Sequence, residues 1–182
     1  MFGFIITALY FYLPGALANI GANIGRFIPL FKDIVIPIDL NTTYKGKRLI
    51  GSHKLYGSFI FGILFGTSMG ILKYYFLDTL FDKYLLLSLK IQETILLYFV
   101  MSFGALTGDI LKSIIKRRLG RPEHTPWIPF DEIDHSTISM LLVSLFFPIP
   151  VTVTITVIIG YFLMHLLSNL IGFKLGIKDV PY

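Results

Sequence analysis

Cysteine is absent from the 182-residue chain, which excludes disulfides, zinc–thiolate sites and thiol nucleophiles. Charge is scarce: Asp, Glu, Lys and Arg make up 15% of residues against 54% hydrophobic side chains, with a mean hydropathy of +0.73. A soluble domain of this length carries more charge than that, so the bilayer is the solvent to reason with. The sequence shows no internal repeat, no low-complexity tract and no appended polar domain. Its four histidines, His53, His124, His135 and His165, are scattered and complete no nucleophilic triad, so each reads as structural rather than catalytic.

What is present is a series of long apolar runs. A span needs roughly 20 mostly apolar residues, and such stretches lie at Phe2 to Ile28, Tyr56 to Leu77, Thr94 to Leu111, Ser136 to Phe147, and Val151 to Phe173. The expectation is an all-α, polytopic integral membrane protein of about five transmembrane helices, one membrane-embedded domain over residues 1–182. The fourth run is short and meets Pro148-Ile149-Pro150, which forces a turn there, so segment 136–173 forms either two full spans or a broken, re-entrant hairpin. Ala16-Leu17-Ala18 imitates a signal-peptide cleavage site, but no positive segment precedes the first run, which therefore reads as a retained helix.

The distribution of cations orients the helices. Five spans place thirteen of the sixteen Lys and Arg residues on one side with the C-terminus, and leave Lys73, Lys83 and Lys90 on the other. Cytoplasmic loops collect Lys and Arg, so the N-terminus is expected outside, and the C-terminus and the main charged loops in the cytoplasm. The net charge of +5 suits a face that meets anionic headgroups or phosphates, although a plain topological bias looks the same.

Most of the charge in the second half lies between Gly108 and Ser136. At 100° per residue, Asp109, Lys112, Ser113, Lys116 and Gly120 share one helical face, and Ile110, Leu111, Ile114, Ile115 and Leu119 cover the other. The third helix thus leaves the membrane as an amphipathic rod. Local pairing of Asp109 with Lys112 or Ser113 accounts for part of this pattern. An acid at the membrane boundary is nevertheless a functional candidate, because it needs a partner or a wet cavity. Gly120-Arg121-Pro122 ends the rod, and Pro126-Trp127-Ile128-Pro129 makes a stiff interfacial connection.

Asp131 and Asp134 follow, three residues apart, just before the fourth helix. Taken alone they read as capping acids. A short loop, however, folds them back toward Asp109 on the preceding antiparallel helix. Three carboxylates beside several cations would suit magnesium and a polyphosphate, since magnesium takes carboxylate oxygens and fills its remaining positions with water and substrate phosphate. Phosphoryl transfer needs little else from the protein when the nucleophile is itself an ionised phosphate.

These residues carry a family resemblance. Gly108-Asp109, Lys112-Ser113, Lys116-Arg117-Arg118, Leu119-Gly120, Pro126-Trp127, Pro129-Phe130-Asp131 and Asp134 resemble the signature of CDP-archaeol synthases, the membrane cytidylyltransferases of archaeal lipid synthesis and their bacterial relatives. Tyr12-Leu13-Pro14 with Ala18-Asn19, Pro37-Ile38-Asp39, Gly46-Lys47-Arg48, then Gly51, Lys54 and Gly57, and the closing Gly176-Ile177-Lys178-Asp179-Val180-Pro181 match in order, so the likeness covers nearly the whole chain. A weaker similarity reaches the CDP-diacylglycerol synthases. The resemblance implies transfer of CMP from CTP to a membrane glycerol ether lipid phosphate (unsaturated archaetidic acid), with Mg2+, releasing pyrophosphate; phosphatidic acid is the alternative acceptor. It also implies Asp109, Asp131 and Asp134 as metal ligands, with these acids and Lys116 forming the catalytic set. Lys54, Lys112, Lys116, Arg117 and Arg121 are implied as phosphate contacts. The chain departs from the family after the loop lysine, where Leu55 stands in place of the usual Thr.

Other features have quieter readings. Gly62, Gly66 and Gly70 at four-residue intervals point to close helix packing. Asn19, Asn23 and Arg26 share a face and suggest an inward polar lining, and His165 and Asn169 pair at i, i+4. Arg118 falls on the apolar side of the rod and is expected to snorkel or meet lipid phosphate. Lys178-Asp179 is either a solvated tail or part of a packed cap. The principal rival function is a proton-coupled carrier with Asp109 as relay, although that role expects ionisable residues spread through several helices. The Asp-Gly-x-x-Ala-Arg run of the CDP-alcohol phosphotransferases is absent, and nothing points to a nucleic-acid partner.

Overall fold

The computed structural model describes residues 2–122 and 125–176. His124 and the Lys178–Pro181 segment singled out above lie outside that range. The helices are α1 (Phe2–Phe11), α2 (Leu13–Gly25), the single turn α3 (Pro29–Lys32), α4 (Tyr56–Phe76), α5 (Ile91–Arg118), α6 (Phe130–Phe146) and α7 (Val151–Lys174). A two-residue hairpin, β1 (Thr43–Tyr44) with β2 (Lys47–Arg48), pairs antiparallel in the loop before α4. Among the described residues α4, α5 and α7 are long and apolar enough to cross a bilayer, and the pair α1–α2 would make a fourth span. The chain is thus a helical, multi-pass membrane protein.

Two sequence expectations need revising. The first run is not one helix but two, bent by 45° at Tyr12. Pro14 lies in the first turn of α2, where its missing N–H and ring obstruct continuation of the α1 ladder. The fourth helix starts at Phe130, before the apolar run, and spans 17 residues. Asp131, Glu132 and Asp134 therefore belong to its first turns rather than to the preceding loop.

Small residues set how closely the helices approach. A Cβ at Gly66 would lie 2.5 Å from Ser102 Oγ and 2.6 Å from Ala18 Cβ, and one at Gly62 would lie 2.8 Å from the Ala18 carbonyl oxygen. α4 therefore sits directly on α2 and α5. Without a hydrophobic drive between helices in lipid, such close packing is what holds the bundle. Ser139 Oγ donates to the Met101 carbonyl at 2.7 Å and ties α6 to α5. Tyr161 Oη donates to the Leu9 carbonyl at 3.0 Å and ties α7 to α1. Tyr12, fully buried at the bend, donates to the His135 carbonyl at 2.9 Å and packs edge-on against Tyr161.

Lys73, assigned by sequence only to the less charged side, is buried. Its ammonium meets Asp78 Oδ1 at 2.8 Å, and Tyr10 Oη donates to the same oxygen at 2.6 Å. This pair lines a cavity of about 420 Å³ with Tyr98 and Thr94, at the opposite end of α4 and α5 from the Asp109 region.

Candidate active site

The polar face of α5 forms as its spacing predicts, and α6 closes over it. Gly108 makes this possible: a Cβ there would collide with the Asp134 carbonyl and lie 3.2 Å from His135 Cα. Gly108→Ala is therefore expected to push α6 away from α5, lowering thermal stability by about 1–3 kcal/mol and removing most turnover. Melting in detergent and product formation measure the two effects, and unaltered values for both would show that the helices have room to spare.

At this contact Lys112 Nζ lies 3.1 Å from Asp109 Oδ1, 3.1 Å from Asp131 Oδ1 and 3.0 Å from Asp134 Oδ2. Lys116 Nζ reaches both oxygens of Asp131, at 3.3 and 3.1 Å. Lys54 donates to the second oxygen of Asp109. Three acids and three lysines thus compensate one another in a largely buried network. The Trp127 amide donates to Asp131 Oδ2 at 2.6 Å, and Asp134 Oδ1 accepts the His135 amide at 2.6 Å. Neither acid caps α6, whose N-cap residue, Pro129, has no side-chain capping bond.

The sequence assigns Lys112 to phosphate; in the structure its ammonium occupies the point on which the carboxylates converge, at the edge of a polar cavity. Among the described residues no three acids or histidines stand at metal-ligand spacing. The donor chemistry nevertheless fits magnesium: three hard carboxylates share one cation, and among the described residues Asp134 Oδ2 is buried with only this ionic contact and no aligned hydrogen bond.

Asp39 organises the loop that delivers Lys54. Its side chain is buried; Arg48 donates to Oδ1 at 2.5 Å and to Oδ2 at 3.3 Å, and the amides of Asn41, Ile50 and Gly51 also donate to it. Burial alone would raise this carboxyl, but the guanidinium and the backbone donors outweigh it and pull its pKa down to about 2. The Ile38 amide then donates to the Lys54 carbonyl at 2.9 Å, setting the lysine beside α5. Arg118, expected to snorkel or meet lipid phosphate, is engaged by the hairpin. Its guanidinium donates to the carbonyls of Tyr44 (3.3 Å) and Arg48 (2.8 Å), holding the hairpin against the end of α5.

Two polar cavities flank the network and share His53 and Lys54 as a common wall. One, of about 380 Å³, lies among α2, α4 and α5, where Asn19, Asn23 and Arg26 face Phe59, Leu106 and Asp109. The other, of about 300 Å³, is lined by Lys112, Lys116, Arg117, Asp131, Glu132 and, from α7, His165 and Asn169. Arg121 is not brought into either: it packs over Trp127 at 5.4 Å and contacts the Pro126 carbonyl at 3.5 Å. Sequence reasoning set His53 and His165 aside and gave Glu132 no role, yet all three line the cavities. His135 faces Tyr12 instead, with Nδ1 3.1 Å from the hydroxyl.

The comparisons with known proteins place this helical membrane body, with its lysine-compensated carboxylate cluster between two polar cavities, in the class of membrane-embedded nucleotidyltransferases. More narrowly, the chain belongs to the CDP-archaeol synthase family, whose model, described as CarS-like CDP-archaeol synthase, matches residues 1–182. The CDP-archaeol synthase of Methanocaldococcus jannaschii is 33% identical over 180 residues, covering 97% of this chain and 96% of that one. The Thermococcus gammatolerans CDP-archaeol synthase is 31% identical over 181 residues, covering 96% and 95%. A solved structure, described as an intramembrane enzyme for archaeal membrane lipids biosynthesis, shares the fold with a TM-score of 0.71 at 22% identity, covering 89% of this chain and 92% of that one.

Proposed function

We propose that this protein transfers CMP from CTP to the phosphate of a membrane glycerol ether lipid, unsaturated archaetidic acid, giving CDP-archaeol and pyrophosphate. The observation that carries the reading is the pair of cavities meeting at His53 and Lys54, with Lys54 paired to Asp109, because the reaction joins two phosphate compounds of different polarity. The cavity with Arg26, Asn19 and the apolar walls of α4 and α5 receives the lipid phosphate from the bilayer side. The cavity with Lys112, Lys116 and Arg117 receives the triphosphate.

An oxygen of the lipid phosphate attacks the α phosphorus, a new P–O bond forms, and the bond to the bridging α–β oxygen breaks as pyrophosphate departs. The nucleophile is already ionised near neutral pH, so no side-chain base is needed. Lys54 orients the attacking phosphate at the shared wall, and Lys116 and Arg117 stabilise charge on the departing group. Magnesium, when bound, would be held by Asp109, Asp131 and Asp134 and would neutralise phosphate charge that the lysines do not reach. In this reading residues 1–182 form one membrane-embedded unit of five spans, with α6 as the fourth. The N-terminus lies outside, and the cavities and C-terminus are cytoplasmic, in keeping with the cation bias. A carrier using Asp109 as relay has no observation in its favour, since that acid is ion-paired to Lys54 and Lys112.

The test is pyrophosphate release by purified protein in nanodiscs with magnesium and CTP, offered unsaturated archaetidic acid or phosphatidic acid. Faster release with the ether lipid, together with a lipid-linked CMP product, is expected. Preference for the diacyl lipid would reassign the acceptor, and no turnover with either by folded protein would overturn the reading.

A further inference from the structure

The wall of the 300 Å³ cavity holds a carboxylate that the reaction above leaves unused. Glu132 is 3% exposed, and its Oε2 is buried with no hydrogen-bond partner among the described residues. A buried acceptor without a donor is costly and needs a reason. Helical geometry separates it from the other acids: Asp131 and Asp134 lie roughly 60° apart around α6, whereas Glu132 lies about 100° beyond Asp131. It lines the cavity together with His165 and Asn169 of α7. A carboxylate would repel a phosphate, so this part of the wall suits a neutral portion of the ligand that offers a donor.

We propose that Glu132 reads the nucleobase, its carboxylate accepting the exocyclic amine of cytosine. This deepens the cytidylyl-transfer reading and rests on it. Cytosine presents the amine beside acceptor atoms, a pattern a carboxylate can read. Uracil places a carbonyl oxygen where the amine would be, so two acceptors would face one another and neither would be satisfied. A site built to accept a hydrogen bond discriminates strongly against the analogue that cannot donate it.

The experiment compares kcat/KM for CTP and UTP in wild type, Glu132→Gln and Glu132→Asp. The wild type should prefer CTP. The Gln variant, whose amide can donate to the uracil carbonyl, should lose at least about tenfold of that preference, while the Asp variant should keep most of it. Melting without nucleotide supplies a second readout. Removing an unpartnered buried charge should leave the midpoint of Glu132→Gln unchanged or raised, whereas a structural carboxylate would give a lower one. Protection against heat should be greater with CTP than with inorganic tripolyphosphate in the wild type, and equal in Glu132→Gln. A CTP preference that survives in Glu132→Gln, or a destabilised variant that loses both nucleotides equally, overturns the role of Glu132 alone. A wild type that turns over neither nucleotide overturns the cytidylyl-transfer reading, and this assignment with it.

Discussion

Asp134→Asn is expected to lower formation of the CDP-linked lipid by about 10³-fold, the upper end of what one preorganised charge contributes at such a centre, while the protein stays folded. The substitution should be well tolerated structurally. Asp134 Oδ1 accepts the His135 amide, and the carbonyl oxygen of asparagine keeps that bond. The backbone at 134, which packs on Gly108, is unaltered. What disappears is the charge facing Lys112 at 3.0 Å, and with it one of three anionic oxygens aimed at a single point. Pyrophosphate release alongside melting in the same detergent separates the two effects. Turnover near wild type would remove Asp134 from the reacting centre.

Lys112→Met should show the converse, a large fall in stability. Met preserves much of the bulk of the lysine stem but leaves three carboxylates with two ammonium partners, Lys54 and Lys116. Breaking a buried ionic contact by removing one member costs about 3–5 kcal/mol. The network is not wholly dry, since the Lys112 side chain is 15% exposed, so the lower end applies. Millimolar magnesium should recover part of the lost melting temperature in the variant and shift the wild type less, because in the wild type the ammonium competes for the same oxygens. Equal shifts in both proteins would place magnesium away from these carboxylates.

The parts of the structure that were readable in the sequence are those governed by local periodicity. The face of Asp109, Lys112, Ser113 and Lys116 follows from 100° per residue, and the four-residue glycine repeat of α4 from its need to approach neighbours closely. The convergence of Asp131 and Asp134 on Asp109 follows from a short connection between antiparallel helices. The misses arise where hydropathy and structure part company. Hydropathy places the start of the fourth helix at Ser136, but a helix needs only backbone hydrogen bonds and continues through charged residues to Phe130. The signal for the bend at Tyr12 was in plain view as Leu13-Pro14, and was masked by uninterrupted hydrophobicity. Lys112 could be placed on the right face, but not between three carboxylates, because two of its partners arrive from another helix. Asp39 was one acid in a polar loop, and only the fold shows it gathering Arg48 and three amides.

The loop before α4 is attached to α5 at two places. Lys54 meets Asp109, and the carbonyls of Tyr44 and Arg48 meet Arg118. The two anchor residues are nine positions apart on one continuous helix, about 13 Å at 1.5 Å per residue. A plate held by one bolt can swivel, whereas two bolts fix its angle as well as its position. Because Asp39 makes the loop a single piece, any tilt of α5 carries the common wall of both cavities with it, and their shapes change together.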